Sequence, residues 1–224
     1  MPLKKAWVLA AICAIGLSVT LASAEVGVTD DTIRIGQVCA LTGPARGLGQ
    51  ELQAGATAYF EHINSQGGIH GRKISLLTLD DSYEPEQTIE ATKKLIDQEE
   101  VFMLFGYVGT PTSAAAVPLA KQAQVPFFAP FTGAEFLRTP VRTNIYNVRA
   151  SYFQETEAQV QQLVDVLGKK NIAVFYQNDS YGRAGLGGVQ KALRQRGLDV
   201  AATGTYQRNT IKVQAALEAI QKVK

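Results

Sequence analysis

The sequence predicts an α/β protein built as two doubly wound lobes with parallel sheets, the second lobe and the C-terminal return of the first incomplete. Short β-branched or apolar runs alternate with longer stretches whose apolar residues recur at helical spacing. Some runs, such as VFMLF at 101–105, are apolar throughout, which suits strands covered on both faces. The cycle restarts after Arg149, so one lobe is predicted over 25–148 and a partial second over 149–224.

Residues 1–24 stand apart. Lys4 and Lys5 precede an almost unbroken apolar run from Ala6 to Leu21, and Ala22-Ser23-Ala24 is a small-residue cleavage pattern. The run is short for a membrane span, so a removed secretory signal is predicted, with a periplasmic destination. Thr32–Leu41 then reads as the first strand. From Leu48, the positions Leu52, Ala56, Tyr59, Phe60 and Ile63 continue a helical stripe that stops at Gln66-Gly67-Gly68. Lys73–Leu79 is a second strand, and Pro85 opens a helix carrying Ile89, Thr92, Leu95 and Ile96 on its buried side. Val101–Phe105, Val125–Ala129 and Thr143–Val148 are further strands, with a helix over 112–123.

After Arg149, helices are predicted at Gln154–Leu167, Ala184–Gln195 and Val213–Val223, with strands at Asn171–Tyr176 and Asp199–Tyr206. Two strands are too few for a well-buried parallel sheet, and the sequence is expected to be a truncated form of a longer fold. Exposed edges and apolar faces then predict self-association.

Charge and cysteine content exclude several classes. Without Lys4 and Lys5, 20 basic residues balance 20 acidic ones, which removes the electrostatic case for nucleic acid or an acidic membrane. Cys39 alone remains beyond the signal, so no internal disulfide is expected. Asp80 and Asp81 are neighbours on a strand end and point to opposite faces, a poor arrangement for sharing a proton. His62 and His70 have no partners at metal spacing, and GRAGLG at 182–187 fits no nucleotide loop. No catalytic residue, metal or cofactor is predicted.

Ligands of open parallel sheets sit beyond the carboxyl ends of strands. Four segments occupy such ends: 41–48, 106–112, 130–135 and 177–182. In GTPTS, Thr110 is predicted to cap a helix whose first turn Pro111 presets, leaving N–H groups for an anion. Simple capping and anion binding are equally supported by that stretch alone. Tyr107, Phe131 and Tyr181 fall at or just after strand ends, where a cleft needs flat apolar walls.

Together, IRIGQVCALTGP, AGATAYFEHINSQGGIHGRKI, LDDSYEP, GTPTSAAAVPLA, VPFFAPFTG and NDSYGRAG, in this order, resemble the periplasmic substrate-binding proteins of the branched-chain amino acid class. The resemblance spans about residues 32–222 and implies a type I periplasmic-binding-protein fold, closing on ligand between two lobes. It implies a ligand carboxylate gripped at Gly109 and Thr110, a carbonyl and hydroxyl from Phe131, Thr132 and Gly133, a lid at Tyr181 and a wall at Leu48. Arg46, Leu48 and Gly133 depart from the pattern, Gly133 by lacking the hydroxyl. The function implied is an ABC-importer receptor for an amino acid or related small carboxylate, with an inner-membrane ABC permease as partner and a monomeric full-length form. A periplasmic ligand-sensing domain and an α/β enzyme with an unrecognised site are the alternatives.

Overall fold

A computed structural model describes residues 25–223; the predicted signal peptide lies outside them. The chain runs β1 (Thr32–Cys39), α1 (Arg46–Ser65), β2 (Lys73–Asp80), α2 (Pro85–Asp97), β3 (Met103–Phe105) and α3 (Thr110–Gln122). It continues through β4 (Phe127–Phe128), a 3₁₀ turn at Glu135–Leu137, β5 (Ile145–Tyr146) and α4 (Tyr152–Val160). The remaining elements are β6 (Ala173–Gln177), α5 (Ser180–Arg194), β7 (Ala202–Tyr206) and α6 (Gln214–Gln221). One parallel sheet has the order β2-β1-β3-β4-β5, and a second, two-stranded sheet pairs β6 with β7 in parallel. The architecture is therefore the predicted α/β one, with a five-stranded first sheet and a two-stranded second sheet.

Register aligns the functional ends. Cys39 pairs with Asp80 at the last rung of β1 and β2, and Gln177 pairs with Tyr206 at the last rung of β6 and β7. The loops that follow these rungs thus emerge together at the carboxyl edge of each sheet. In the first lobe, Val38, Leu104 and Phe127 meet apolar side chains of α2 and α3, chiefly Leu95, Ala116, Val117 and Ala120. The opposite face carries α1. Its Gly49 lies so close to β1 that a Cβ there would sit 2.0 Å from the Ala40 carbonyl oxygen, and the Cys39 thiol donates to the Gly49 carbonyl at 3.7 Å. A smaller core of Val160, Ile172, Ala192 and Leu193 holds the second lobe.

Several boundaries differ from the sequence expectation, each for a local reason. β4 has two residues because Pro126 and Pro130 flank it and supply no N–H for a ladder. α4 begins two residues earlier than predicted, since Ser151 and Gln154 close a capping box, and its last turn widens into a π-turn at Gln161–Val166. α5 begins at Ser180, not Ala184, because Asp179 accepts from the N–H groups of Tyr181 and Gly182. Among the described residues no helix is long and apolar enough to cross a membrane.

Candidate functional site

A cavity of about 500 Å³ opens between the carboxyl edges of the two sheets. Pro44, Leu48, Tyr83, Gly109 and Phe131 line it from the first lobe. Arg149, Tyr152 and Glu155 line it where the chain crosses over, and Gln177, Tyr181, Tyr206 and Asn209 line it from the second lobe. Of the sequence-predicted residues, Leu48, Gly109, Phe131 and Tyr181 therefore border the cavity. Phe131 and Tyr181 are 40% and 41% exposed, so each ring keeps an open face.

Thr110, Thr132 and Gly133 form a layer behind that wall. The Thr110 and Thr132 hydroxyls share a hydrogen bond of 2.7 Å, and the Thr132 hydroxyl donates to the Tyr152 hydroxyl at 3.2 Å. Both threonines are buried, and Tyr152 is the member of the chain that reaches the cavity. Thr110 is not the helix cap that the sequence suggested. That place belongs to Gly109, whose φ of 104° suits glycine, while Thr112 turns its hydroxyl back to the carbonyls of Val108 and Gly109. Gly109 is also fixed by space: an added Cβ would meet the Tyr83 ring at 2.1 Å.

Tyr107 needs correction. It is 1% exposed, its hydroxyl shares a 3.1 Å hydrogen bond with Thr92, and its ring lies 4.9 Å from that of Phe127. A strand-end position did not place it in the cleft, because its side chain points into the first-lobe core. Arg46 likewise turns back, donating to the Gly43 carbonyl at 3.3 Å.

The strand-end carboxylates are structural. Burial raises Asp80, but hydrogen bonds from the Thr42 hydroxyl and the N–H groups of Ser82, Leu41 and Thr42 hold it below the ordinary aspartate value. Asp81 is fully buried, and this desolvation wins over donation from Tyr83 N–H and the Thr88 hydroxyl, so its pKa is raised. Burial also pushes the Cys39 thiol up to about 12, which leaves it a poor nucleophile. Among the described residues no cluster of three His, Cys, Asp or Glu side chains is placed to hold a metal.

The lobes are joined across the cleft mouth. Arg208, just past β7, pairs with Glu84 at 2.7 Å and lies 3.5 Å from Asp179. Asn209 donates to the Ser82 carbonyl at 3.1 Å and to Glu84 at 2.7 Å. Burial alone would raise Glu84, yet these bonds from Arg208 and Asn209 hold it below the usual range. Both sides of the contact use left-handed backbone, at Asn209 and at Ser82 and Tyr83.

Sequence reasoning missed Tyr83, Arg149, Tyr152, Glu155, Tyr206 and Asn209. The strand-end rule could have found four of them, since Tyr83 and Asn209 lie just past β2 and β7, Arg149 lies three residues past β5, and Tyr206 ends β7. Tyr152 and Glu155 sit on the first turn of α4, whose start was predicted too late.

Two parallel α/β lobes around a cleft lined from both sides define a class of cleft-closing binding proteins. The chain belongs to the periplasmic binding protein family, whose profile matches residues 32–224. Leu/Ile/Val-binding protein homolog 7 of Brucella abortus is 29% identical over 209 residues, covering 88% of this chain and 51% of that protein. The crystal structure of a possible leucine/isoleucine/valine-binding protein from Rhodopirellula baltica SH 1 superposes with a TM-score of 0.81 at 36% identity, over 86% of this chain and 54% of that one. A substrate-binding periplasmic protein from Ralstonia solanacearum gives a TM-score of 0.79 at 30% identity, over 84% and 53%. The chain spans about half the length of the relatives it matches. The family and these relatives are binding proteins, not enzymes.

Proposed function

We propose that the chain forms the cleft of a periplasmic solute-binding receptor, exported by a cleaved signal over 1–24, that captures an amino acid or related small carboxylate. Delivery is to an ABC permease of the inner membrane. The observation that carries this reading is the cavity of about 500 Å³ at the carboxyl edges of both sheets, lined from both lobes. Ligand that touches both lobes favours the closed arrangement over the open one, which is the whole of the mechanism. In this reading Leu48, Gly109, Phe131 and Tyr181 touch the ligand, while Thr110, Thr132 and Gly133 support the wall through Tyr152. The names of the relatives support a ligand of amino acid size.

Titration calorimetry with a panel of amino acids and small carboxylates tests the reading. Saturable binding of at least one compound is expected, and Tyr181→Ala is expected to weaken it by roughly tenfold, as loss of an interfacial ring does. A panel without saturable heat would overturn the receptor role.

A further inference from the structure

The two lobes are joined at two places, and the strand order β2-β1-β3-β4-β5 sets these at opposite edges of the first sheet. Glu84 follows β2, and its contacts with Arg208 and Asn209 lie at one edge. The crossover through Arg149 and Ala150 follows β5 and leads into α4 at the other. Four strand spacings of about 4.8 Å put the joints roughly 19 Å apart. The first joint is a part-exposed ion pair with two hydrogen bonds from Asn209. The second is built on main chain. Arg138, at the end of the 3₁₀ turn, donates to the Ala134 carbonyl at 3.1 Å and to the carbonyls of Arg149 at 2.9 Å and Ala150 at 3.3 Å. Asn147 donates to the Leu137 carbonyl at 2.9 Å, and the Tyr152 N–H to the Gly133 carbonyl at 2.7 Å.

Arg138 passes over the carboxylates near it. Glu135 and Glu155 act on its charge, as does Arg149, yet among the described residues Arg138 pairs with neither carboxylate and gives its hydrogen bonds to carbonyls. A guanidinium is a planar fork whose donors can hold two chain segments at once, whereas an ammonium is a single point. The loop that Arg138 closes carries Phe131 into the cavity wall, and the crossover carries Arg149 and Tyr152 there. Arg138 itself does not border the cavity.

We propose that Arg138 is a positioning residue for solute capture: it clamps the crossover to the first-lobe loop, so that the lobes part on the Glu84–Arg208 side alone. Phe131, Arg149 and Tyr152 then keep one arrangement whether the cleft is open or shut, and Asn209, at the far edge, travels furthest. This rests on the reading of the cleft as a solute site that closes on its ligand. A solute then meets a preformed wall beside the crossover first and the moving wall second.

Two readouts on the 224-residue chain, both taken without solute, test the clamp. Spin labels at Gln87→Cys and Lys212→Cys, two exposed positions, report the distance across the Glu84 edge. Cys39 is buried and its thiol is pushed up to about 12, so it stays unlabelled. Amide hydrogen exchange at Tyr152 reports the crossover. Glu84→Gln is expected to lengthen the label distance and leave Tyr152 exchange as in the parent chain. Arg138→Met is expected to quicken Tyr152 exchange by about tenfold, the scale of a lost hydrogen bond, and to broaden the label distance, with Arg138→Lys recovering part of both. A residue that only packed its own loop would leave the far-edge distance alone. Faster Tyr152 exchange in Glu84→Gln, or a parent-like label distance in Arg138→Met, overturns the proposal. If melting shows Arg138→Met unfolded, Arg138→Lys decides: a broadened label distance supports the proposal, and a parent-like one overturns it. Neither failure touches the receptor reading, which stands or falls on the solute panel.

Discussion

At residue 133 an added Cβ would lie 2.7 Å from the Tyr152 ring and 2.8 Å from the Tyr152 backbone nitrogen. The Tyr152 N–H also donates to the Gly133 carbonyl at 2.7 Å, so the start of α4 is packed directly on this loop. The missing hydroxyl at Gly133 is thereby explained: Tyr152 fills the space, and its own hydroxyl joins Thr132 and Thr110. Because one of the blocking atoms is backbone, the site cannot adjust by a rotamer change. Gly133→Ala is expected to destabilise the fold by roughly 1–3 kcal/mol, the range for overpacking, read as a lowered melting temperature. An unchanged melting temperature would count against this packing. Gly133 was visible in the sequence as a departure, but its cause was not, since Tyr152 is brought to it by the turn between β5 and α4. Tyr107 failed in the opposite way: its strand-end position was legible, but which side of the chain it faced depended on the positive φ of Gly106 just before it.

Among the elements, the loops after β2 and β7 form a latch between the lobes. Its ion pair is partly exposed, with side-chain accessibilities of 22% for Arg208 and 35% for Glu84, so solvent screening limits it to ~1 kcal/mol or less. Asn209 adds two hydrogen bonds to the same loop. Glu84 has its pKa lowered in the folded state, so this contribution is present above its ordinary value of 4.5 and is lost as pH falls through the lowered one. Glu84→Gln is expected to speed amide hydrogen exchange at 82–84 and 207–210 at neutral pH, and the difference from the parent chain is expected to vanish in acid. Equal protection at neutral pH would remove the latch. The elements it joins were largely legible, because hydrophobic periodicity marks β1, α1, β2 and α2 without help from tertiary contacts. The latch itself was not, since Glu84 and Arg208 lie 124 residues apart and nothing local ties them.

In the molecule as a whole, the two faces of the first sheet differ. α2 and α3 cover one, while α1 covers only part of the other, through Phe60 against Phe105 at 5.5 Å. Beyond it the rings of Phe105, Phe128 and Tyr146 follow one another at 6.3 and 6.2 Å, and Phe128 and Tyr146 stay exposed. An apolar ladder of this kind is a surface for association. The chain is expected to form concentration-dependent oligomers in sedimentation velocity, and Tyr146→Lys to shift them toward monomer. A parent chain that stays monomeric at high concentration would refute the point. The latch bears also on how long a ligand stays. Arg208 and Glu84 meet without the ligand between them, so the same contact can form over an empty or a filled cleft. By favouring the joined arrangement in both states it shortens the time the cleft stands open, which slows entry and exit alike, and it tightens binding to the extent that the empty cleft would otherwise stay open. Such a clasp sets residence time: what enters more slowly is also held for longer.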